Sequence, residues 1–241
     1  MATVAVGLSK RRFDRLFFSS MAVVILITVY VGFAPTYFRA GVFYARLPNV
    51  LIHLHAAAFS CWIILLVTQT SLVAAGRVDL HRRLGLAGFG LACFMVIVGV
   101  LAATNFLVRG IDAGQSMNPR AFFGVILSDI VVFATLVFLA FRNRRDPPAH
   151  KRFILIATVA LLDAAFIRWP FAALSDLHIA QIFCYPFLLA LAAYDYWSTG
   201  RIHRVTLWAS VLLAVMQVAR FPIGRSAAWQ AFAAWVEGIA R

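Results

Sequence analysis

The sequence predicts an all-α fold: a polytopic bundle of seven transmembrane helices, followed by a short helix in the membrane interface. Of the 241 residues, 63% are hydrophobic and 13% are charged, whereas a soluble domain has roughly 45–50% apolar and about 25% charged residues. The apolar residues form runs of membrane-spanning length, and the cations concentrate in alternate connections between those runs. The apolar runs extend through most of the chain, so we expect a single transmembrane domain over residues 1–241.

Seven apolar runs are bounded by charge, proline or glycine. A helix needs about 20 apolar residues to cross the hydrocarbon core. Strands of a membrane β-barrel are about half as long and alternate in polarity, which these runs do not. We therefore expect transmembrane helices at residues 16–34, 50–75, 84–108, 121–141, 153–174, 179–196 and 205–221.

The basic residues predict the orientation of the bundle. A basic leader, residues 1–15, precedes the first run, whose apolar stretch is longer than the roughly 7–15 residues of a signal-peptide core, so we expect it to remain as a span. Of the 22 Lys and Arg residues, fourteen fall on the leader's side of the predicted membrane. Connections rich in Lys and Arg face the cytoplasm, which places the N-terminus there. Seven cations fall on the other side: Arg39, Arg46, Arg109, Arg120, Arg220, Arg225 and Arg241.

The segment after Pro222 has the pattern of an interfacial helix. Trp229, Phe232 and Trp235 recur every three residues within residues 226–240. Aromatic side chains on one side of a short helix are typical of a segment that lies at headgroup level.

A histidine followed by a cation begins three of the predicted helices on the cytoplasmic side. These pairs are His81-Arg82, His150-Lys151 and His203-Arg204. One interpretation is that they are interfacial anchors facing lipid phosphates. The other is that His81 and His150 ligate a haem, since bis-histidine ligation needs two imidazoles from different helices at one depth. Gly85 and Gly88 would then leave room for the haem ring, since glycine has no side chain. Arg82, Arg83 and Arg152 would neutralise the propionates.

A second set of histidines lies toward the opposite side. His53 and His55 are two residues apart, which turns them about 200° from each other on a helix, so one of the two is expected to face the bundle. His178 lies at comparable depth. It could pair with the inward-facing histidine, His55 in the version we favour, or hydrogen-bond to water and headgroups.

Charged residues inside the apolar runs are candidates for catalysis or a proton relay. Asp129 lies in the fourth run, and Asp163 and Arg168 lie in the fifth. Such groups are costly in a membrane and normally face the bundle interior with a partner. Five residues separate Asp163 from Arg168, so a pair between Asp129 and Arg168 across two helices is at least as plausible. Gln69 adds a polar point in the second run. The alternative role for all four is interhelical hydrogen bonding that fixes helix register.

Several protein classes are excluded by residue content. The two lysines, Lys10 and Lys151, lie outside the centres of the runs, which excludes a retinal Schiff base. Nucleotide-loop and hydrolase motifs are absent from the sequence, and the cations are spread between apolar runs, unlike those of a nucleic-acid-binding face. An odd cysteine number offers no disulfide framework or Cys-x-x-Cys metal motif. The cysteines are Cys61, Cys93 and Cys184.

Four of the predicted helices resemble an uncharacterised family of bacterial multi-pass membrane proteins. The family pattern is His, Gln, HRxxG, HRxM and a later Arg. Here residues 50–174 contain His55, Gln69, HRRLG from His81, HKRF from His150, and Arg168. The resemblance implies an architecture and a residue set, and it implies no activity. We expect the protein in a bacterial inner membrane. More remotely, the histidine-bearing core is similar to cytochrome b561-type proteins, which implies haem b and transmembrane electron transfer, although His81 and His150 lie at helix starts here.

Three functions follow from these patterns. The first is an electron-transfer module with haem b, or linked to a quinone, whose ligands are His81 with His150 and His55 with His178. The second is a quinone- or lipid-binding enzyme or transporter, with Asp129, Asp163 and Arg168 in a polar cavity. The third is a non-catalytic subunit of a membrane complex, packed through small residues. The expected partners are anionic lipids, a quinone or a second membrane subunit, and not nucleic acid.

Overall fold

The computed structural model describes residues 2–40, 49–112 and 118–241, and every regular element in these ranges is helical. Arg46, one of the counted cations, lies outside the described residues, as do the side chains of Lys10 and Arg11. The helices are α1 (Ala2–Phe33), α2 (Val50–Ala74), α3 (Val78–Asp112), α4 (Pro119–Arg142), α5 (Pro147–Val159), α6 (Asp163–Phe166), α7 (Leu177–Ala180), α8 (Tyr185–Thr199), α9 (Arg204–Arg225) and α10 (Ala227–Ala240).

Short local signals set several helix boundaries. The Asn118 side chain accepts from the backbone N–H groups of Arg120 and Ala121, and Pro119 follows it as the first residue of α4. Asp146 and Pro147 begin α5 in the same way. Such caps satisfy backbone donors that have no partner within the helix. At the end of α8, Gly200 adopts a φ of +72°, which favours glycine and stops the helix.

Six segments across the described ranges are long and apolar enough to cross a membrane. They are Arg12–Phe38, Val50–Ala74, Val78–Ile111, Pro119–Arg142, Leu177–Thr199 and Arg204–Arg225. Large apolar side chains on their outer faces are exposed, among them Ile97, Phe138 and Leu189. An apolar exterior of this kind fits a lipid environment, because lipid tails are as apolar as the side chains that face them. The protein is therefore a multi-pass membrane protein whose described elements are all helical.

The predicted fifth span, residues 153–174, is not a continuous helix. Regular α5 ends at Val159, and the backbone then tightens, with Leu161 N–H bonded to Thr158 O and Leu162 N–H bonded to Val159 O. The one-turn helix α6 follows and ends before Pro170. The prediction of seven continuous spans is therefore not confirmed.

Contacts with α1 hold this broken stretch in place. A Cβ atom added to Gly32 would collide with the backbone of Ala165, so glycine permits α1 to touch α6 directly. The Trp169 indole N–H donates to the carbonyl of Thr28 at 3.1 Å. Hydropathy does not report such contacts, because they depend on where another helix lies.

Each helix from α1 to α4 packs against the next helix in the chain, and further contacts join segments that are distant in sequence. Helix α4 contacts α3, α5 and α9, while α1 contacts α2 and the stretch containing α6. The buried core has apolar side chains from α1 to α5 and from α8 and α9, including Ile25, Met95, Leu136, Ile156 and Leu213. Helix α5 starts and α8 ends at the same end of the bundle, since Arg152 and Asp195 are in contact.

The predicted C-terminal helix is present. Ser226 caps α10 by accepting from the Trp229 backbone N–H, and α10 packs on α3 and α4. The Trp229 indole N–H donates to Arg120 O at 2.8 Å, whereas Phe232 and Trp235 are exposed. Exposed aromatic side chains beside the bundle agree with an interfacial position, which stays a prediction.

Candidate functional site

A buried charge cluster joins four segments near the end of the bundle at which α9 finishes. Arg220 in α9 donates from Nη1 to Oδ1 of Asp129 in α4 at 2.7 Å. From Nη2 it donates to Oδ2 of Asp163 at 2.7 Å and to Oε1 of Gln181 at 3.0 Å. The exposed fractions of the Arg220, Asp163 and Asp129 side chains are 0%, 2% and 17%. In this Arg220 cluster, two carboxylates therefore share one guanidinium away from water.

Breaks in the helices supply two members of the cluster. Asp163 is the first residue of α6, directly after the tightened turn, and Gln181 directly follows the one-turn helix α7. Discontinuous helices place backbone and side-chain polar groups inside a bundle, and such stretches are tolerated in membranes where they are buried in protein or line a cavity. The cluster therefore lies where the chain departs from regular helix.

A close approach of α4 and α9 brings Arg220 to Asp129. A Cβ atom on Gly224 would lie 2.9 Å from the carbonyl oxygen of Ala121, so only glycine fits without a shift. Gly224 is one turn beyond Arg220 on α9. The glycine thus lets the two backbones approach at the level where the guanidinium reaches across to α4.

Buried polar atoms next to the cluster lack protein partners. Among the described residues, the Gln217 Nε2 and Oε1 atoms and the Arg220 Nε atom have no nitrogen or oxygen hydrogen-bond partner. Gln217 is 1% exposed, and its side chain lies close to the buried thiol of Cys184. Unpaired buried groups are costly and are commonly satisfied by ordered water or a ligand. The site therefore has hydrogen-bond donors and an acceptor that are available to ordered water or a ligand.

The predicted pair of Asp129 with Arg168 was wrong. Arg168 donates to the backbone carbonyl of Ala164, and its guanidinium lies over the Phe33 ring, 4.8 Å from the centroid. Asp129 instead pairs with Arg220, because α9 lies beside α4 whereas Arg168 follows α6 on the side facing α1. Two of the three predicted charged residues, Asp129 and Asp163, do come together.

Arg220 was missed because it is the last residue but one of the predicted seventh span, residues 205–221, and was counted with the cations of the outer connection that begins near Pro222. The structure continues α9 through Pro222 to Arg225, so Arg220 belongs to the helix and not to an outer connection. A signal was present in the sequence: Leu213, Gln217 and Arg220 are separated by four and three residues, the spacing of one helix face. A polar residue and a charge on the face of a buried leucine point inward.

A second buried charge cluster lies at the opposite end of α9. Arg152 donates from Nε to Oδ1 of Asp195 at 3.0 Å and from Nη1 to Pro148 O at 2.6 Å. Asp195 also accepts from the Thr206 hydroxyl and the His203 backbone N–H. We call Arg152, Asp195, Thr206 and His203 the Arg152 cluster. It ties the start of α5 to the end of α8 and the start of α9.

The predicted role of Arg152 as a propionate partner does not fit this geometry. Its guanidinium is buried and bonded to Asp195, so it is not free to meet a ligand carboxylate. Arg82 and Arg83 are exposed. His203 caps α9, accepting from the Val205 N–H at its Nδ1. Burial and the Arg152 guanidinium lower the pKa of His203, which favours the neutral ring that this cap requires.

His81 and His150 do converge. Their ring centroids are 6.4 Å apart, and the rings are nearly perpendicular. The His150 Nδ1 atom lies 2.9 Å from Ala140 O, which fixes that ring at the end of α4. His81 Nδ1 and Gln69 Oε1 are buried without a hydrogen-bond partner among the described residues. The predicted meeting of the two rings is thus observed, while their role as ligands stays a prediction.

The remaining histidines lie against aromatic side chains. His53 hydrogen-bonds through Nδ1 to the Tyr37 hydroxyl at 2.9 Å. His55 stacks on Phe59 with centroids 4.2 Å apart, and His178 stacks on Phe221 at 3.8 Å. The structure therefore gives His55 and His178 separate phenylalanine partners, and their predicted pairing around a second haem stays a prediction.

Comparison with known proteins adds no family to this description. No protein-family model, curated protein or solved structure matches the chain. The resemblance to bacterial multi-pass and cytochrome b561-type proteins therefore stays an expectation from residue patterns.

Proposed function

We propose that this protein is a proton-coupled membrane transporter whose proton-binding site is the Arg220 cluster. The observation that carries the proposal is the sharing of one buried guanidinium by Asp129 and Asp163, each at 2.7 Å. Ionised side chains within a membrane are expensive and concentrate on ion and proton pathways. The cluster combines two carboxylates with one cation, so its charge balances when one proton is bound.

Proton binding at the cluster breaks one O–H bond of hydronium and forms one O–H bond on a carboxylate. A proton leaves hydronium and joins one carboxylate oxygen, and water remains. The carboxylates act as a pair, since protons on interacting groups belong to the pair and not to either residue. Binding changes the cluster from two anions and one cation to one anion and one cation. In a low-dielectric interior, this removes repulsion between the carboxylates and weakens the hold of one of them on Arg220.

The broken helices give that change a mechanical consequence. Asp163 begins α6 and Gln181 follows α7, so both side chains are carried by short stretches adjoining irregular backbone. Secondary transporters typically build their coupling sites from discontinuous helices. When protonation releases one carboxylate from Arg220, the stretch between Ala160 and Cys184 is the part of the bundle that can shift most easily against α9. Alternating access would follow from that shift.

We also propose that the chain crosses the membrane seven times, with the broken stretch α5–α6 as the fifth crossing. Helix α5 begins beside the end of α8 at Arg152 and Asp195, whereas Asp163 meets Arg220 sixteen residues along α9 from its start. The chain between Arg152 and Asp163 therefore runs along the bundle. With seven crossings, the cation distribution places the N-terminus in the cytoplasm and the Arg152 cluster near anionic headgroups of a bacterial inner membrane.

A pH-jump experiment tests proton binding without knowledge of the transported solute. Purified protein is reconstituted in liposomes on a solid-supported membrane, and the external pH is lowered rapidly. We expect a transient current as protons enter the cluster, and we expect its loss in Asp129→Asn and in Asp163→Asn. A panel of small solutes added at fixed pH then identifies the substrate class by steady current.

The matched control is Asp176→Asn. Asp176 is exposed and caps α7 through the His178 backbone N–H, and asparagine caps helices equally well. This variant should keep the transient current. A wild-type protein without a transient current, or cluster variants whose current equals that of Asp176→Asn, would contradict the proposal.

Haem-linked electron transfer is the second candidate, and the convergence of His81 with His150 favours it. The His150 ring is oriented by a backbone carbonyl, as ligand histidines often are. His81 and His150 would hold the haem, which would supply one-electron chemistry when bound. An absorption spectrum of protein purified from haem-supplied cells tests this candidate. A Soret band that is lost in His81→Ala would support haem binding, and a colourless preparation would contradict it.

A further inference from the structure

We infer that α9 carries a proton path along the bundle from the Arg220 cluster to the Arg152 cluster, and that Leu213 closes this path. The inference rests on the proposed proton binding at Asp129 and Asp163. It adds the route by which the proton leaves and the side chain that prevents a leak.

The path follows one face of α9. Thr206, Ser210, Leu213, Gln217 and Arg220 are spaced by four, three, four and three residues, which places them in one stripe of a helix. The stripe is about 21 Å long at roughly 1.5 Å per residue. Thr206 is bonded to Asp195 at one end, and Arg220 is bonded to Asp163 at the other. The stripe therefore connects the two charge clusters directly.

The polar members between the clusters have unused hydrogen-bonding capacity. The Ser210 Oγ atom and both polar side-chain atoms of Gln217 are buried without a nitrogen or oxygen partner among the described residues, and the Gln217 side chain lies close to the Cys184 thiol. Buried groups of this kind are normally satisfied by ordered water. Water bound to Gln217 would reach toward the cluster at Arg220, and water bound to Ser210 would reach toward Thr206.

Leu213 lies between these two polar sections. It is fully buried and occupies the stripe midway between Ser210 and Gln217, which are about 10 Å apart along the helix. Hydrogen-bonded waters are spaced by about 2.8 Å, so roughly three would have to line up across this gap. An apolar side chain between the two polar sections excludes that chain of water, as hydrophobic constrictions do in channels. Leu213 thus acts as the closure.

The proton steps balance as simple transfers between oxygens. The protonated carboxyl of the cluster gives its proton to a water at Gln217, and an O–H bond breaks on the carboxyl as one forms on the water. The proton then passes between waters beside Leu213 when that section is hydrated, and reaches water at Ser210. It leaves to solvent past the partly exposed His203. No electron moves.

Proteoliposomes report the closure. A potassium diffusion potential set with valinomycin drives protons inward, and an internal pH-sensitive dye records the rate. Compared with wild type, Leu213→Ser should raise the rate by about tenfold or more, since a hydroxyl in place of a buried apolar side chain admits water. Val215→Ser is the matched control, because Val215 is exposed on the outer face of α9. It should leave the rate unchanged.

Two further variants separate the outcomes. Leu213→Ala opens space without a new polar group and, if Leu213→Ser does not fold, serves in its place with the same expected direction. Adding Gln217→Leu to Leu213→Ser should restore the wild-type rate. The proposed path would be contradicted if folded Leu213 variants showed the wild-type rate of proton entry. It would also be contradicted if the raised rate persisted when Gln217→Leu was added. A leak that persists with Asp163→Asn would instead leave the path intact and count against the cluster as its proton acceptor.

Discussion

Replacing Arg220 with methionine should destabilise the protein more than any other single change in the cluster. Methionine has a similar length but no charge, so Asp129 and Asp163 would face each other in the interior without the guanidinium that they share. Removing one partner of a buried ion pair typically costs about 3–5 kcal/mol. We expect a marked fall in thermal stability in detergent at neutral pH, measured by the fluorescence of the native tryptophans.

The control for this prediction lies five residues further along α9. Arg225 is exposed, and Arg225→Met should change the melting temperature little. Neutralising both acids as well, in Arg220→Met with Asp129→Asn and Asp163→Asn, should recover part of the loss, because no unpaired charge then remains. An Arg220→Met protein as stable as Arg225→Met would show that the cluster carries no strong charge interaction.

Asp195→Asn should have the second-largest effect, at the other end of α9. The side chains of Arg152 and Asp195 are 5% and 0% exposed, so the substitution leaves a buried guanidinium without its counter-charge. The expected cost is again about 3–5 kcal/mol of unfolding free energy. Thermal melting of the purified protein measures it. The result is independent of proton binding at Arg220, because the two clusters lie at opposite ends of the helix.

Asp14→Asn is the comparison, since Asp14 pairs with Lys151 at the same end of the bundle. The exposed fractions of the Lys151 and Asp14 side chains are 26% and 36%, and partly exposed pairs contribute about 0–1 kcal/mol. Asp14 also accepts from the Tyr194 hydroxyl, a bond that the amide oxygen of asparagine can keep. Asp14→Asn should therefore melt close to wild type. Equal losses of melting temperature in Asp195→Asn and Asp14→Asn would mean that burial does not determine how much the Arg152 cluster stabilises the fold.

Helical membrane architecture was predictable because lipid imposes it. Runs of about 20 apolar residues have few alternatives to helix in a bilayer, and six such helical segments are observed in the part of the chain that the structure describes. The break after Val159 was not predictable from the same signal. Residues 160–162 contain neither glycine nor proline. The turn there is accompanied by contacts of Ala165 with Gly32 and of Trp169 with Thr28, which sequence patterns do not encode.

The candidate site was half predicted, for a related reason. A charged residue in the middle of an apolar run is visible in the sequence, so Asp129 and Asp163 were predicted as site residues. Their partner was assigned wrongly because Arg168 lies inside a predicted span, whereas Arg220 was counted with the outer cations. Contact between α4 and α9 brings Arg220 to the two aspartates. Asp195 was overlooked because it lies near a predicted helix end, where a carboxylate is usually solvated. Its burial depends on three neighbouring segments that meet there.

Infrared spectroscopy of the reconstituted protein tests the central claim, that Asp129 and Asp163 share one bound proton beside Arg220. A protonated carboxyl has a carbonyl stretch distinct from that of a carboxylate, and a buried one exchanges slowly in heavy water. We predict a band of this kind that titrates with pH, is lost or shifted in Asp129→Asn and Asp163→Asn, and is unchanged in Asp176→Asn. A band that never forms over the pH range in which the protein is folded, or that persists unaltered in both cluster variants, would contradict the account.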